Sequence, residues 1–282
     1  MIISSFNHAS YIASSIRSVL SQSYSNIELM VVDDGSTDDS VRIIHALREQ
    51  YDFDFRAQTN QGLARTLNEC VARANGDLIV PFGSDDVMLP DRVQKQVAYL
   101  DGKPLVGVCA GNIEQIDEHG HPLPRRNRQR PFRRLDFESI FLGTKDGAPA
   151  PTLMFRRDAL EAAGGFDPTI KLEDLPVLLK IARAGLFIDV LPDVLAQYRL
   201  HGANTYKNRR LMIEAVLGTY ALFKEHPDYE RARARFINAM FLKSSRNDTA
   251  LASELLRELP LQYWNGKTVR ALARWLLGKV AN

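Results

Sequence analysis

The chain reads as an α/β protein, a mostly parallel sheet flanked by helices and followed by a helical C-terminal extension. Three observations predict this. Apolar strand-like runs alternate with helix-spaced stretches in the first half, two of those runs end in paired carboxylates, and strand signals vanish beyond Tyr206. The order strand, helix, strand, helix calls for parallel strands joined by right-handed crossovers.

Met1–Asn7 is the first strand, with few apolar residues before its polar end; either it is short or the natural start lies upstream. Tyr11, Ile12, Ile16, Val19 and Leu20 then recur at helical spacing. A second strand, 27–32, runs into Asp33-Asp34-Gly35-Ser36-Thr37-Asp38-Asp39-Ser40, after which Val41, Ile43, Ile44 and Leu47 mark a helix. A short strand near 51–57 precedes Asn60-Gln61-Gly62, and a helix over 63–74 stops at Asn75-Gly76. The strand 77–82 leads to Ser84-Asp85-Asp86, and Pro90-Asp91 opens a helix through Leu100. Residues 105–110 form a strand, with 113–116 either its continuation or a return strand. From Asp117 to Arg134 the pattern dissolves into a long loop. Beyond it come a strand at 151–155, a short helix at 157–163, the turn Gly164–Pro168, a helix at 175–184, and strands at 187–191 and 194–200. Helical segments follow around 208–225, 228–243, 248–258 and 267–280. A boundary near 206 gives a first domain, 1–206, in two halves (1–116 and 117–206), and a helical region, 207–282.

Adjacent carboxylates at a strand end repel each other unless a cation or donor group lies between them. A divalent metal that bridges to substrate phosphates is the economical reading. Asp, Gly and Ser also favour turns and helix caps, which explains either acidic turn alone equally well. Two such turns on consecutive αβ units point instead to one crevice outside the carboxyl ends of the strands.

The 282 residues suffice for a sizeable core, and a net charge of +2 is too small to imply nucleic acid. Arg125, Arg126, Arg128, Arg130, Arg133 and Arg134 crowd one segment, either a solvated loop or a contact for an anionic partner such as a membrane surface or acidic acceptor. Cys70 and Cys109 fit no metal spacing and suit a reducing compartment. With no membrane-spanning run and no secretion signal at the amino terminus, a cytoplasmic protein is expected, at most peripheral on the inner membrane. In the last helix Lys267, Arg270 and Arg274 share one face, which suits a membrane surface, while packing against the first domain explains the pattern equally well.

Six landmarks occur in order: Ser5-Phe6-Asn7, Val31–Asp38, Ser84-Asp85-Asp86, Gly164–Asp167, Glu173-Asp174 and Tyr198–Asn204. In this the chain resembles the inverting glycosyltransferases of family two, over roughly residues 1–205. The resemblance implies the GT-A fold, a nucleotide-sugar donor, a divalent metal (Mn2+ or Mg2+), and transfer of one sugar with inversion. It implies that Ser5, Asn7 and Asp34 line the nucleotide pocket, that Asp33 supports the turn, and that Asn60 and Gly62 approach the nucleotide. Leu67 stands where many relatives carry Arg. The resemblance also implies that Asp86 holds the metal with Asp85 nearby, that Ser84 replaces a frequent Asp of that motif, and that His201 lies near the diphosphate or metal. Asp174 becomes the base that deprotonates the acceptor, with Glu173 the alternative. His8, His119 and His121 read as loop residues.

The family's usage makes dTDP-rhamnose or a UDP-hexose the expected donor and a lipopolysaccharide or other surface glycan or glycolipid the expected acceptor. Two other readings compete. A phosphoacceptor receiver-like domain shares the Val31–Asp34 strand end, but here a strand and helix precede the acidic pair. A catalytically inactive nucleotide-sugar binding protein would share the fold, yet both carboxylate sets are present. No glycine fingerprint of a nicotinamide enzyme follows the first strand.

Overall fold

The computed structural model describes residues 1–124, 129–202, 204 and 207–280, with the backbone alone at 277–280. It contains two compact units: Met1–Phe137, Gly147–Thr169 and Glu173–Asn204 form the first; Glu138–Asp146, Ile170–Leu172 and Thr205–Asn282 form the second. Two short segments from the first 206 residues thus join the helical unit.

In the first unit, strands β1 (Ile2–Ser5), β2 (Met30–Asp34), β3 (Asp54–Gln58), β4 (Leu78–Ile79) and β5 (Pro81–Gly83) are connected through helices α1 (Ile12–Leu20), α2 (Ser40–Arg48) and α3 (Leu63–Arg73). Strands β3, β2, β1 and β5 lie side by side in that order, all parallel, as the crossover argument requires. Burial follows the helical period: Ile12, Ile16 and Val19 of α1 and Ile44 and Leu47 of α2 enter one core with Ile3 and Val31 of the sheet. Two buried serines interrupt the apolar face of α1 for a reason. Ser15 donates to the Gly83 carbonyl at 2.8 Å, and Ser18 Oγ accepts from the Met88 amide at 3.0 Å, so α1 holds both ends of the second acidic turn.

A second, mixed sheet completes this unit. Its further elements are β6 (Val87–Met88), α4 (Arg92–Leu100), β7 (Val106–Ile116), β8 (Arg133–Leu135), β9 (Met154–Arg156), α6 (Arg157–Ala162), α7 (Asp174–Arg183) and β10 (Phe187–Arg199), while α5 (Phe137–Phe141), which follows β8 in the chain, belongs to the second unit from Glu138 on. The strand order is β4-β9-β7-β10-β6, with β8 also paired to β10. Only β7 and β10 run parallel; the other pairs are antiparallel.

Several expected elements change form. The single strand 77–82 is broken at Val80, with β4 in one sheet and β5 in the other. Residues 105–116 are one strand. The two strands 187–191 and 194–200 are likewise one, β10, whose register against β7 shifts around Pro192 because proline cannot donate to the ladder. The strand expected at 151–155 begins only at Met154, after a single 3-10 turn, Ala150–Thr152. The loop 117–134 closes on itself through an Ile116–Pro122 bridge and ends in β8, where Arg134 donates twice to the fully buried Asp189, at 2.8 and 2.7 Å. Arg125, Arg126 and Arg128 of the basic segment lie outside the described residues, as do Ala203 and Tyr206.

The second unit packs α8 (Arg209–Ala221), α9 (Tyr229–Ser244), α10 (Thr249–Arg257) and α11 (Gly266–Val280) around Ile213, Ile237, Phe241, Leu251, Leu255 and Ala271. Asn208 and Asp248 cap α8 and α10 by accepting from Leu211 N and Leu251 N. Segment 138–146 joins it through Phe141, edge-on to Tyr220 at 5.2 Å between centroids. Among the described residues no helix is long and apolar enough to cross a membrane.

Candidate active site

The carboxyl ends of four adjacent parallel strands bring Gln58, Asp34, Ser5 and Gly83 into one row. Such an edge is where open α/β sheets collect ligands. Asp33 supports its own turn, accepting from Ser36 N at 2.8 Å and Ser36 Oγ at 2.6 Å. Asp34 holds the next loop: its Oδ1 accepts from Gln58 Nε2 at 2.9 Å and Gln61 N at 3.0 Å, and its Oδ2 from Gly62 N at 2.8 Å. Asn60 is thereby fixed above Gly35, where φ is +83° and an added Cβ would lie 2.8 Å from the Asn60 amide nitrogen, so only glycine serves. An open cleft of about 540 Å³ results, lined by Asp33, Ser36, Gln58, Thr59 and Asn60.

The turn after β1 is locked to the turn after β2. Asn7, at φ 53°, accepts from Thr37 N at 2.8 Å, and its own amide donates to Ser36 Oγ at 2.8 Å. Ala9 N reaches Asp38, and His8 N reaches Ser40 Oγ. Ser5 Oγ is buried and has no hydrogen-bond partner among the described residues.

Beyond β5, three groups converge. His8, Asp85 and His201 each offer a ligand atom within 4.8 Å of the others. His201 Nε2 lies 2.8 Å from Asp85 Oδ2, His8 Nδ1 lies 2.7 Å from Ser84 Oγ, and the two imidazoles meet edge to face at 5.5 Å. Burial lowers the His8 pKa against the pull of Asp85, which favours the neutral ring that a metal needs. A Cβ on Gly83 would fall 2.9 Å from oxygens of both Asp85 and Asp86, so glycine is what admits both carboxylates here. The donor set therefore fits a divalent cation.

Asp86 stands outside that trio. It is buried, its Oδ1 accepts from Arg199 N at 2.9 Å, and burial together with the Asp85 charge pushes its pKa well above the ordinary range. Arg199 also donates to the Asp85 carbonyl at 2.8 Å and sits 5.0 Å above the Tyr11 ring. Asn204 closes the following turn, accepting from His201 N and donating to Arg199 O.

Glu173 and Asp174 form a separate half-buried pair at the start of α7, and among the described residues no hydrogen bond links them to the strand-end cluster. Asp174 Oδ1 accepts from Leu175 N at 2.7 Å. Burial, then the neighbouring Asp174, pushes the Glu173 carboxyl up to about 7, and burial raises Asp174 as well.

Sequence reasoning missed His8, Gln58, Gly83 and Arg199. His8 was legible in principle, because it follows Ser5-Phe6-Asn7 at a strand end; the other three act through contacts that only folding creates. Leu67, in place of the relatives' Arg, is buried in the core.

The sequence pattern of the Glycosyl transferase family 2 domain matches residues 1–163. An uncharacterized glycosyltransferase of Nostoc sp., alr2836, is 34% identical over 214 residues, covering 73% of this chain and 66% of that protein. The putative glycosyltransferase EpsE of Bacillus subtilis is 37% identical over 123 residues, 43% of this chain and 44% of its own length. The O-antigen biosynthesis glycosyltransferase WbnJ of Escherichia coli is 29% identical over 217 residues, 74% of this chain and 82% of WbnJ. The chain thus spans two thirds or less of the first two relatives. Among solved structures, Staphylococcus aureus TarS 1-349 in complex with UDP-GlcNAc superposes with a TM-score of 0.69 at 17% identity, over 98% of this chain and 88% of that one. Mannosyltransferase PcManGT of Pyrobaculum calidifontis, in complex with GDP-Man and Mn2+, gives 0.63 at 19% identity, over 100% and 85%. At such identities the two show a shared GT-A fold.

Proposed function

The chain belongs to glycosyl transferase family 2, and from that premise we propose that it moves one sugar, with inversion, from dTDP-rhamnose or a UDP-hexose to a hydroxyl of a growing surface glycan or glycolipid in the cytoplasm. The observation that carries this reading is the row of parallel strand ends, with an open cleft on one side and the His8–Asp85–His201 trio on the other. WbnJ is named for O-antigen biosynthesis, which supports a surface-glycan acceptor.

In this reading Asp85, His201 and His8 hold the metal, and Asp86 anchors their turn to Arg199. Two nitrogen donors favour Mn2+ over Mg2+, which prefers oxygen. Held by these three side chains, a divalent cation would supply charge neutralisation for the diphosphate leaving group. Ser5, Asn7, Asn60 and Gly62 frame the nucleotide, with Asp33 and Asp34 acting through the loops they hold. Ser84 orients His8. Asp174 takes the proton of the acceptor hydroxyl as the new oxygen–carbon bond forms and the carbon–phosphate-oxygen bond breaks. Burial raises its proton affinity toward that of an effective base, and Glu173 beside it shares the field.

Residues 1–206 form the catalytic domain in this proposal and 207–282 an accessory region. Family membership removes the receiver-like alternative. An inactive nucleotide-sugar binding protein would be stabilised by donor yet never hydrolyse it. The test is a thermal-shift panel of nucleotide sugars with Mn2+ or Mg2+, followed by NMR of the anomeric product. Stabilisation by a pyrimidine nucleotide sugar with Mn2+ and an inverted product are expected; stabilisation only by purine nucleotide sugars, or retention, would refute the assignment.

A further inference from the structure

We infer that α11 and the segment before it form a docking surface for an anionic bilayer, a role beyond the transfer reaction. From Leu259 to Asn282 the sequence holds Lys267, Arg270, Arg274 and Lys279 and no acidic residue. The helix divides into three faces at 100° per residue. Thr268 and Ala271 are buried, and Trp275 donates to the Thr249 carbonyl at 3.2 Å, so that face packs within its own unit. A second face carries Val269, Ala273 and Leu276, all exposed. Lys267, Arg270 and Arg274 form a stripe along one flank of it.

The exposure is large for apolar side chains: 64% for Val269 and 55% for Leu276, with Leu261 at 76% and Trp264 at 39% in the segment just before. Elsewhere in this unit several arginines pair with acids, as in Arg210–Glu254, Arg231–Asp228 and Arg233–Glu258, whereas the stretch from Leu259 onward offers no acid of its own. Among the described residues Lys267, Arg270 and Arg274 form no ion pair. An apolar stripe flanked by unmatched cations, with an indole near the boundary, is the pattern of a helix lying in a lipid interface. A second copy fits poorly, because a two-fold contact would bring the basic stripe against itself.

The test mixes the full chain with sedimenting vesicles of phosphatidylglycerol and phosphatidylethanolamine in roughly a 1:3 ratio, and with vesicles of phosphatidylcholine alone. Expected is binding to the first only, released when salt rises from about 0.05 M to about 0.5 M. Lys267→Glu, Arg270→Glu and Arg274→Glu together should weaken partitioning at least about 100-fold. Val269→Asp with Leu276→Asp should weaken it even at low salt, with thermal unfolding unchanged. The parent chain supplies a readout that needs no variant: both its tryptophans, Trp264 and Trp275, lie in this region, so brominated lipid should quench its fluorescence. Equal binding to both vesicles, absence of binding and quenching, or a salt-resistant dimer that the Asp variants dissociate would overturn the inference. Donor hydrolysis in the same samples is independent of it, so loss of one leaves the other standing.

Discussion

Gly83→Ala tests the cation site without touching a ligand. The added Cβ would sit 2.9 Å from Asp85 Oδ1 and 2.9 Å from Asp86 Oδ2, against an ordinary contact that begins at 3.4 Å, so both oxygens must retreat by about 0.5 Å. Each carboxylate is held through its other oxygen, Asp86 Oδ1 by Arg199 N at 2.9 Å and Asp85 Oδ2 by His201 at 2.8 Å, so the crowded oxygen gives way only by turning the whole group out of its present geometry. Metal–ligand distances tolerate only about 0.2 Å, so the displacement exceeds what a bound ion absorbs. Mn2+ affinity should fall about 10- to 100-fold, the scale of damage to a ligand's support. The fold should lose only about 1–2 kcal/mol, because carboxylate ends can give way. Free Mn2+ counted by electron paramagnetic resonance, beside thermal melts in chelator, separates the two effects. A variant with parental Mn2+ affinity but a lowered melting temperature would refute the reasoning, since the acids would then be crowded without serving a metal.

Asp174→Asn should lower the transfer rate about 100- to 10,000-fold while donor affinity, measured calorimetrically, stays within about twofold. Burial raises both carboxyls of this pair, so the acidic limb of the pH–rate profile should lie above the ordinary carboxylate range, and Glu173→Gln, which removes the neighbouring charge, should move that limb to lower pH. A carboxyl whose folded pKa lies above its unfolded value adds stability below pH about 4.5 and loses it as pH rises toward 7. Glu173→Gln should therefore stabilise the protein at pH about 8, by about 1–3 kcal/mol in denaturant melts. Asp34→Asn, which removes an acceptor from the Gln61 and Gly62 amides, should weaken donor binding about tenfold in the same calorimetry.

The parallel half of the fold was legible because β1 and β2 carry short apolar runs followed by helices with clear 3.6-residue burial, as Ile12, Ile16 and Val19 illustrate. The second sheet was less so. Its strands pair across long sequence separations, antiparallel except for β7 with β10, β4 and β6 have two residues each, and Pro192 interrupts the alternation of β10. Asp33 could be read as a turn support from Ser36 three residues on. Asp34 could not be seen bridging to Gln61 and Gly62, because strand pairing, not chain proximity, brings them together. For the same reason His8 looked like a loop residue: its partners, Ser84, Asp85 and His201, are 76 or more positions away.

The break at Val80 has a consequence for how this protein can change over generations. Residues 78–79 are stitched to one sheet, 81–83 to the other, and 87–88 back to the first, so the turn that carries Asp85 and Asp86 is a strap sewn down three times within eleven residues. An inserted or deleted residue there would slide one seam against another and flip its side chains across a sheet. Length variation is then steered away from this turn and toward segments that are not fastened at such short intervals.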